Sequence, residues 1–306
     1  MSLSRRDFVK LCTGTVAGFG ISQMYNPAVL HALEKAAPNV LWLQGQGCTG
    51  CSVSILNSVN PKIADVLLKV INLGYQPTIM AGEGEVAFKH LYKVAKEKKG
   101  QFILLVEGAV PLAEAGRYCV IGEVEGHEYT MAETTAELGS MAAAVVSLGT
   151  CAAYGGIPAS KGSVTGAMSV KGFFDKYGIK TPVVNVPGCP PHPDWMIGSL
   201  VFAIENGLEA TVKVLDSVGR PTPFYGKNIH DNCPYLKYFD AGTMSPTFTK
   251  KDGCRYDLGC KGPSTNSDCP TRKWNGGVNW CVENSVCIGC VEPDFPDGKS
   301  PFYVAG

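Results

Sequence analysis

Thirteen cysteines in 306 residues constrain this chain more than any other feature of its sequence. They are unevenly distributed: five lie between Cys12 and Cys151, the sixth is Cys189, and seven lie in the last 74 residues, from Cys233 to Cys290. The chain is 45% hydrophobic, and it is long enough to bury one good core and a second smaller unit. The sequence therefore predicts a globular front part and a cysteine-rich back part that needs covalent or metal cross-links.

The charge balance excludes two classes of partner. The chain has 27 basic and 27 acidic side chains, so its formal net charge is zero. A neutral chain offers no electrostatic reason to bind nucleic acid or an anionic membrane. Beyond the N-terminal segment, no apolar run approaches the ~20 residues that a membrane span requires. We expect a soluble mature protein with no nucleic-acid partner and no membrane span.

The N-terminus has the pattern of an export signal. The pair Arg5-Arg6 precedes an apolar, glycine-rich run from Leu11 to about Tyr25. The twin arginine resembles the signal of the route that exports proteins already folded, which suits a protein that acquires cofactors in the cytoplasm. We therefore predict a signal peptide over residues 1–37, with the cleavage site left open, and a periplasmic mature protein. Cys12 would be lost with the signal.

From Asn39 onward, short apolar runs alternate with segments of helical periodicity. The apolar runs are bounded by glycine or proline and are too short for buried helices, so they indicate strands. This alternation predicts a doubly wound α/β domain over residues 38–220, with a parallel sheet covered by helices on both faces. The predicted strands are Val40–Gln44, Thr78–Ala81, Phe102–Val106, Ala144–Leu148 and Val183–Val186; the predicted helices are Pro61–Leu73, Glu85–Lys98, Thr130–Met141, Ser169–Tyr177 and Asp194–Asn206.

Four cysteines of this domain follow the ends of predicted strands. Ligands of doubly wound sheets bind outside the carboxyl ends of the strands, so we expect these thiols to converge there. Four thiolates suit either zinc or a 4Fe–4S cluster. A redox dithiol in the Cys-x-x-Cys motif is the alternative, which the two other cysteines disfavour. The four are Cys48 and Cys51 after the first strand, Cys151 after the fourth and Cys189 after the fifth.

The back part, residues 221–306, shows little apolar periodicity and holds the remaining candidate ligands. Together with the front group, eleven cysteines and one histidine make three sets of four. An exported protein could instead pair its cysteines in disulfides, or bind several zinc ions. The Cys-x-x-Cys spacings and the histidine three residues before Cys233 favour metal. The back residues are His230, Cys233, Cys254, Cys260, Cys269, Cys281, Cys287 and Cys290.

In combination, these motifs resemble the small subunit of nickel–iron hydrogenases, from roughly Asn39 to the end of the chain. The resemblance rests on Gly47–Ser52, Glu107–Ala109, Gly149–Cys151, Pro187–Pro191, Gly259–Pro263 and Cys287–Cys290. It implies a flavodoxin-like front domain and three iron–sulfur clusters. Cys48, Cys51, Cys151 and Cys189 would hold the proximal 4Fe–4S cluster; His230, Cys233, Cys254 and Cys260 the distal 4Fe–4S cluster; and Cys269, Cys281, Cys287 and Cys290 the medial cluster.

The same resemblance implies partners. A large subunit would carry the nickel–iron site where hydrogen is split, so no catalytic residue is expected in this chain. An external carrier, such as a c-type cytochrome, would exchange electrons with it. A related quinone-reductase protein is the main alternative, but that relative carries one cluster and lacks the cysteine-rich tail.

Two departures from the family pattern refine this expectation. Most of the family has proline at the position of Cys281, which leaves a 3Fe–4S medial cluster; a fourth thiolate here predicts 4Fe–4S. With Gly47 and Val53 in place of acidic residues, the chain resembles the nickel–iron–selenium subclass. The alternative is a spare thiol beside a three-iron cluster. Oxygen-tolerant members have two extra cysteines near the proximal cluster. One of them would stand at Gly50 and is absent, and Cys119 occupies the position of the other. We therefore expect no extended proximal cluster and expect Cys119 to be an inert buried thiol.

Overall fold

The computed structural model describes residues 37–59, 61–248 and 252–304. Except for its last residue, the predicted signal peptide, with Cys12, lies outside the described residues. Within the described part, no helix is long and apolar enough to cross a membrane.

The front domain is built on a five-stranded parallel sheet. Its strand order is β2-β1-β3-β6-β7, which is the flavodoxin-like order, so the predicted fold class is confirmed. Two further strands, β4 and β5, form an antiparallel hairpin beside the sheet. The strands are β1 Asn39–Gln44, β2 Asn72–Tyr75, β3 Phe102–Glu107, β4 Val120–Val124, β5 His127–Thr130, β6 Ala144–Leu148 and β7 Val183–Val186.

Helices cover both faces of the sheet, and only short helices follow in the cysteine-rich part. The α-helices are α1 Gly50–Leu56, α2 Ile63–Asp65, α3 Gly84–Glu97, α4 Met131–Met141, α5 Gly149–Tyr154, α6 Val170–Tyr177, α7 Pro193–Lys213, α8 Thr222–Tyr225, α9 Leu236–Asp240, α10 Cys269–Arg272 and α11 Cys281–Asn284. A π-helical turn, Val66–Val70, extends α2. Short 3-10 turns lie at Ala113–Gly116, Ile157–Ala159, His230–Asn232, Tyr256–Leu258, Gly262–Ser264 and Asp297–Lys299.

The sheet separates two apolar cores. Side chains alternate across a strand, so β1 sends Leu41 and Leu43 to one core and Val40 and Trp42 to the other. The first core is closed by α3, α4 and α6. The second is closed by α7 and by the cysteine-rich part, whose Trp280, Val282 and Cys287 belong to it. The cysteine-rich part therefore packs into the same core as one face of the sheet.

The predicted second strand, Thr78–Ala81, is wrong. The strand is Asn72–Tyr75, which the prediction had placed partly in a helix over Pro61–Leu73. A turn replaces the predicted strand because the Gln76 side-chain oxygen accepts hydrogen bonds from the backbone N–H groups of Thr78 (2.6 Å) and Ile79 (2.9 Å).

The predicted helix Pro61–Leu73 ends three residues too late, at Val70 in the structure, and the remaining predicted elements agree within a residue or two, apart from α7. This helix was predicted over Asp194–Asn206 and runs over Pro193–Lys213. Gly207, with φ of +79°, interrupts it directly after the predicted end. A positive φ is readily adopted only by glycine, which explains why the helical pattern of the sequence stops there.

Candidate metal centres

The four front cysteines lie together at the carboxyl ends of the strands, as predicted. Cys48 lies in the loop after β1, and Cys51 lies in the first turn of α1. Cys151 lies in α5, directly after β6, and Cys189 follows β7. The Cys51 thiol interacts electrostatically with each of the other three, so the four thiols lie near one another.

A buried carboxylate fixes the first turn of α1. Glu107, only 3% exposed, ends β3. One of its oxygens, Oε1, accepts the backbone N–H groups of Cys51 (2.9 Å) and Ser52 (3.2 Å). The other, Oε2, accepts the Ser52 hydroxyl (2.5 Å) and the indole N–H of Trp42 (3.1 Å). A negative charge stabilises the N-terminus of a helix, so Glu107 orients the segment that carries Cys51. The sequence placed Glu107 in a motif but assigned it no role.

Glycines keep the space around the front thiols open. A Cβ atom on Gly149 would lie 2.5 Å from the Cys51 sulfur, and one on Gly50 would lie 3.0 Å from the Cys48 sulfur. A Cβ atom on Gly156 would lie 3.1 Å from the sulfur of Cys151. Real Cβ atoms do not approach other heavy atoms as closely as the first of these, so a larger residue at Gly149 would displace the Cys51 thiol.

A second group unites the four cysteines predicted for the medial cluster. The Cys281 thiol, at the start of α11, hydrogen-bonds Cys287 and interacts electrostatically with Cys269 and Cys290. This bond lowers the pKa of Cys287, and the same bond together with burial raises the pKa of Cys281. Although Cys281 is exposed as a residue, its sulfur thus faces the three other thiols.

A third group lines one small cavity in the cysteine-rich part. Its ligand candidates are His230, Cys233, Cys254 and Cys260, and Trp280 lies in the same wall. The imidazole of His230 packs edge-on against the Phe239 ring, with centroids 4.6 Å apart. The indole Nε1 of Trp280 is buried and has no hydrogen-bond partner among the described residues. The cavity is therefore lined by three cysteines and a histidine, together with apolar and aromatic side chains.

The medial group contacts both of the others. The Thr150 hydroxyl, beside Cys151, donates to the carbonyl of Cys290, and the Cys290 thiol interacts with Cys189. On the other side, the Cys260 thiol interacts with Cys287. The three groups therefore form a row, with the medial group in the centre.

The donor set fits iron–sulfur clusters. Burial raises the pKa of Cys151 and of Cys260 to about 11, and that of Cys290 to about 12. Neighbouring thiolates add to each shift, so such groups ionise only when cations balance their charge. All twelve described cysteines are free thiols, whereas a disulfide-stapled protein would pair them.

One further observation concerns the spacing of the donors. Among the described residues, no three His, Cys, Asp or Glu side chains meet closely enough to hold a single metal ion. A cluster makes a different demand, because its thiolates bind separate iron atoms.

Other candidate residues have structural surroundings. Burial raises the pKa of Cys119 to about 11, and this thiol packs against the core under α3 and α4. His192 caps α7: its Nδ1 accepts the backbone N–H of Asp194 (3.0 Å). The other ring nitrogen, Nε2, lies 2.8 Å from the carbonyl of Lys273.

Two family models match the chain. The model for the C-terminal part of the NiFe/NiFeSe hydrogenase small subunit matches residues 225–303, and "NADH ubiquinone oxidoreductase, 20 Kd subunit" matches residues 48–203. The front domain therefore does not distinguish this chain from the related quinone-reductase proteins. The cysteine-rich tail, which that alternative lacks, matches a hydrogenase model.

Individual relatives cover nearly the whole chain. The periplasmic [NiFeSe] hydrogenase small subunit of Desulfomicrobium baculatum is 58% identical over 100% of both chains. The periplasmic [NiFe] hydrogenase small subunit 1 of Nitratidesulfovibrio vulgaris is 41% identical over 98% of this chain and 93% of its own. The oxidised recombinant [NiFeSe] hydrogenase of Desulfovibrio vulgaris Hildenborough gives a TM-score of 0.86 at 65% identity, over 87% of this chain and 97% of that chain.

Proposed function

This chain belongs to the family of nickel–iron and nickel–iron–selenium hydrogenase small subunits, and on that premise we propose that it conducts electrons through three 4Fe–4S clusters. One end of this path is the hydrogen-activating site of a large subunit, and the other is an external carrier such as a c-type cytochrome. When bound, iron–sulfur clusters supply one-electron redox centres whose potentials depend on ligands, hydrogen bonds and burial. Hydrogen activation belongs to the partner, so no residue of this chain acts as acid or base.

The row of contacts between the three thiol groups supports this proposal most directly. The Thr150 hydroxyl lies between Cys151 and the Cys290 carbonyl, and its oxygen also accepts the backbone N–H of Gly188 (2.9 Å). It thereby ties the front group to the medial group. The backbone N–H of Lys261 donates to the Cys287 carbonyl (2.7 Å), which ties the medial group to the distal one. An electron path needs short steps between fixed ligands, and these contacts hold neighbouring ligand loops together.

The ligand assignment gives each set a different environment. Cys48, Cys51, Cys151 and Cys189 would hold the proximal cluster, where Glu107 fixes the Cys51 turn. Cys269, Cys281, Cys287 and Cys290 would hold the medial cluster, with Cys281 as the fourth thiolate that makes it 4Fe–4S. The burial of Cys269 and Cys287 keeps water from these ligands and favours reversible electron exchange without protonation. His230, Cys233, Cys254 and Cys260 would hold the distal cluster, with a neutral imidazole replacing one negative ligand.

The large subunit would bind over the proximal end. Apolar side chains are exposed beside Cys48 and Cys51: Val53 is 53% exposed and Val59 is 51% exposed. A large subunit bound at this end would cover these side chains. We expect an obligate heterodimer that buries more than ~2,000 Å² in total. The periplasmic location of the relative, together with Arg5-Arg6, supports export of the folded protein by the twin-arginine route.

Ligand variants of the heterodimer test this proposal. Cys254→Ser (distal) and Cys269→Ser (medial) should abolish hydrogen-dependent reduction of the carrier. Isotope exchange between hydrogen and heavy water should survive, because it needs only the large subunit's site. Cys119→Ser is the matched control, since it removes a buried thiol outside the three sets, and it should keep both activities. Undiminished carrier reduction in the Cys254 and Cys269 variants would contradict the proposal.

A further inference from the structure

A buried arginine lies beside the distal ligand set. Arg255 follows Cys254 in the chain, is 1% exposed and lines the same cavity as His230, Cys233 and Cys260. We propose that Arg255 is a fixed positive charge that raises the reduction potential of the distal cluster and so favours that cluster as the place where electrons leave the chain. This role presupposes the distal ligand set proposed above, and it goes beyond ligation to the control of potential.

The guanidinium is held in place on several sides. Its Nη1 donates to the carbonyl of Val282, and its Nη2 donates to the carbonyls of Glu283 (3.2 Å) and Phe248 (3.3 Å). Its central carbon lies 5.0 Å from the centre of the Tyr235 ring. These contacts orient the guanidinium and replace part of the water that it loses on burial. None of these carbonyls carries a net charge, nor does this ring, so these contacts do not cancel the positive charge.

That charge acts on the distal ligands. Arg255 interacts electrostatically with the thiols of both Cys233 and Cys254, and at Cys254 the nearby Asp257 acts in the opposite sense. A buried ion interacts more strongly than an exposed one, because water no longer screens it. Reduction adds one electron to the cluster and oxidation removes it, while the guanidinium remains protonated in both states. A nearby positive charge stabilises the more negative, reduced state, so it raises the potential.

A purely structural role is the competing explanation. Arg255 connects the segment of Cys254 with α11, whose first residue is the medial ligand Cys281. Lysine would keep the positive charge but lose the fork of donors that binds several carbonyls. Glutamine would lose the charge and keep a polar, hydrogen-bonding side chain. The two substitutions therefore separate charge from anchoring.

The test uses the complete heterodimer and measures potentials. A redox titration is followed by pulsed electron paramagnetic resonance, recording the reduced signal that shows coupling to an imidazole nitrogen. Only a His230-ligated cluster gives this coupling, so the signal reports the distal cluster alone. Arg117→Gln is the charge-matched control, because the Arg117 side chain, which lies just before β4, is 73% exposed.

At the potential where half of the wild-type distal cluster is reduced, the Arg255→Gln variant should show clearly less than half of its own full signal, because its distal cluster has a lower potential. Arg255→Lys and Arg117→Gln should remain near half. An unshifted distal signal in Arg255→Gln would overturn the proposal, as would an Arg255→Lys signal that shifts as far as that of Arg255→Gln. If Arg255→Gln fails to assemble, Arg255→Lys decides alone, and a lowered potential in that variant refutes the role of charge. A wild type without nitrogen coupling would instead refute the proposed distal ligand set.

Discussion

Replacing Cys281 by proline removes the fourth medial thiol while leaving the backbone nearly unchanged. Cys281 is the first residue of α11, where proline is tolerated because that N–H has no partner within the helix. The preceding residue, Trp280, has φ of −145° and ψ of 170°, within the extended region that a residue before proline favours. The Cys281→Pro variant should therefore fold and pair with its large subunit as the wild type does.

The size of the effect follows from the ligand count. The Cys281 thiol forms a hydrogen bond with Cys287 and interacts with Cys269 and Cys290. Its loss leaves three thiols for the medial cluster. Iron content should fall by about one atom from ~12 per chain, and the oxidised protein should change from magnetically silent to about one unpaired spin per chain. The medial potential should rise, because one negative ligand and one iron are lost.

Electron paramagnetic resonance of anaerobically oxidised heterodimer measures this change directly. Cys119→Ser is the control, since it deletes a thiol packed in the first core and should leave the spectrum silent. A strong three-iron signal in the undamaged wild type would refute the four-thiolate medial site. So would a Cys281→Pro variant whose spectrum and iron content match those of the wild type.

Three other predictions follow from the same structure. The Glu107→Gln substitution should lower the free energy of unfolding by about 3 kcal/mol, because an amide nitrogen would face the N–H and O–H donors that now bind a carboxylate. An unchanged melting temperature would contradict this. Burial lowers the pKa of His192, so the unfolded chain takes up its proton first and stability should decline as pH falls below about 6.5. The His192→Asn variant, which keeps a cap acceptor for Asp194, should lose that part of the pH dependence; an identical pH profile would exclude His192 as its source. The purified chain without its large subunit should neither evolve nor consume hydrogen, and hydrogen-dependent dye reduction by it would refute the division of roles.

The sequence predicted the sheet well where strands are continuous apolar runs. Ala144–Leu148 and Val183–Val186 are predicted and observed residue for residue, because both strands are largely buried and bounded by glycine or proline. The second strand, Asn72–Tyr75, lies at the sheet edge and contains Gly74, so it carries no comparable signal. Edge strands with glycine have weak strand propensity, and tertiary contacts decide their limits.

The cysteine sites were predictable only in part. The topological rule for parallel sheets brings Cys48, Cys51, Cys151 and Cys189 together, because each follows a strand end. The groups in the back part depend on loops without periodicity, and there the resemblance supplied what spacing could not. The short helices α1 and α5 were missed because their length is too small for a periodic pattern.

The supporting residues were missed for a different reason. Glu107 and Arg255 are charged, and charged side chains are almost never fully buried unless paired. Their burial follows from contacts between distant segments: Glu107 binds the start of α1, and Arg255 binds carbonyls of α11. A charged residue directly after a predicted apolar strand, in the Glu107–Ala109 motif, was the signal that marked Glu107. Arg255 lies among other polar residues around Cys254, so nothing in the sequence indicated that its side chain is buried.

The central claim is that this chain holds three four-iron clusters. Native mass spectrometry of the anaerobically purified heterodimer measures the cofactor mass on each subunit without relying on activity. The account predicts that the small subunit bears the added mass of three 4Fe–4S clusters and no zinc. A mass corresponding to one or two clusters, to two cubanes with a three-iron cluster, or to zinc ions would contradict it.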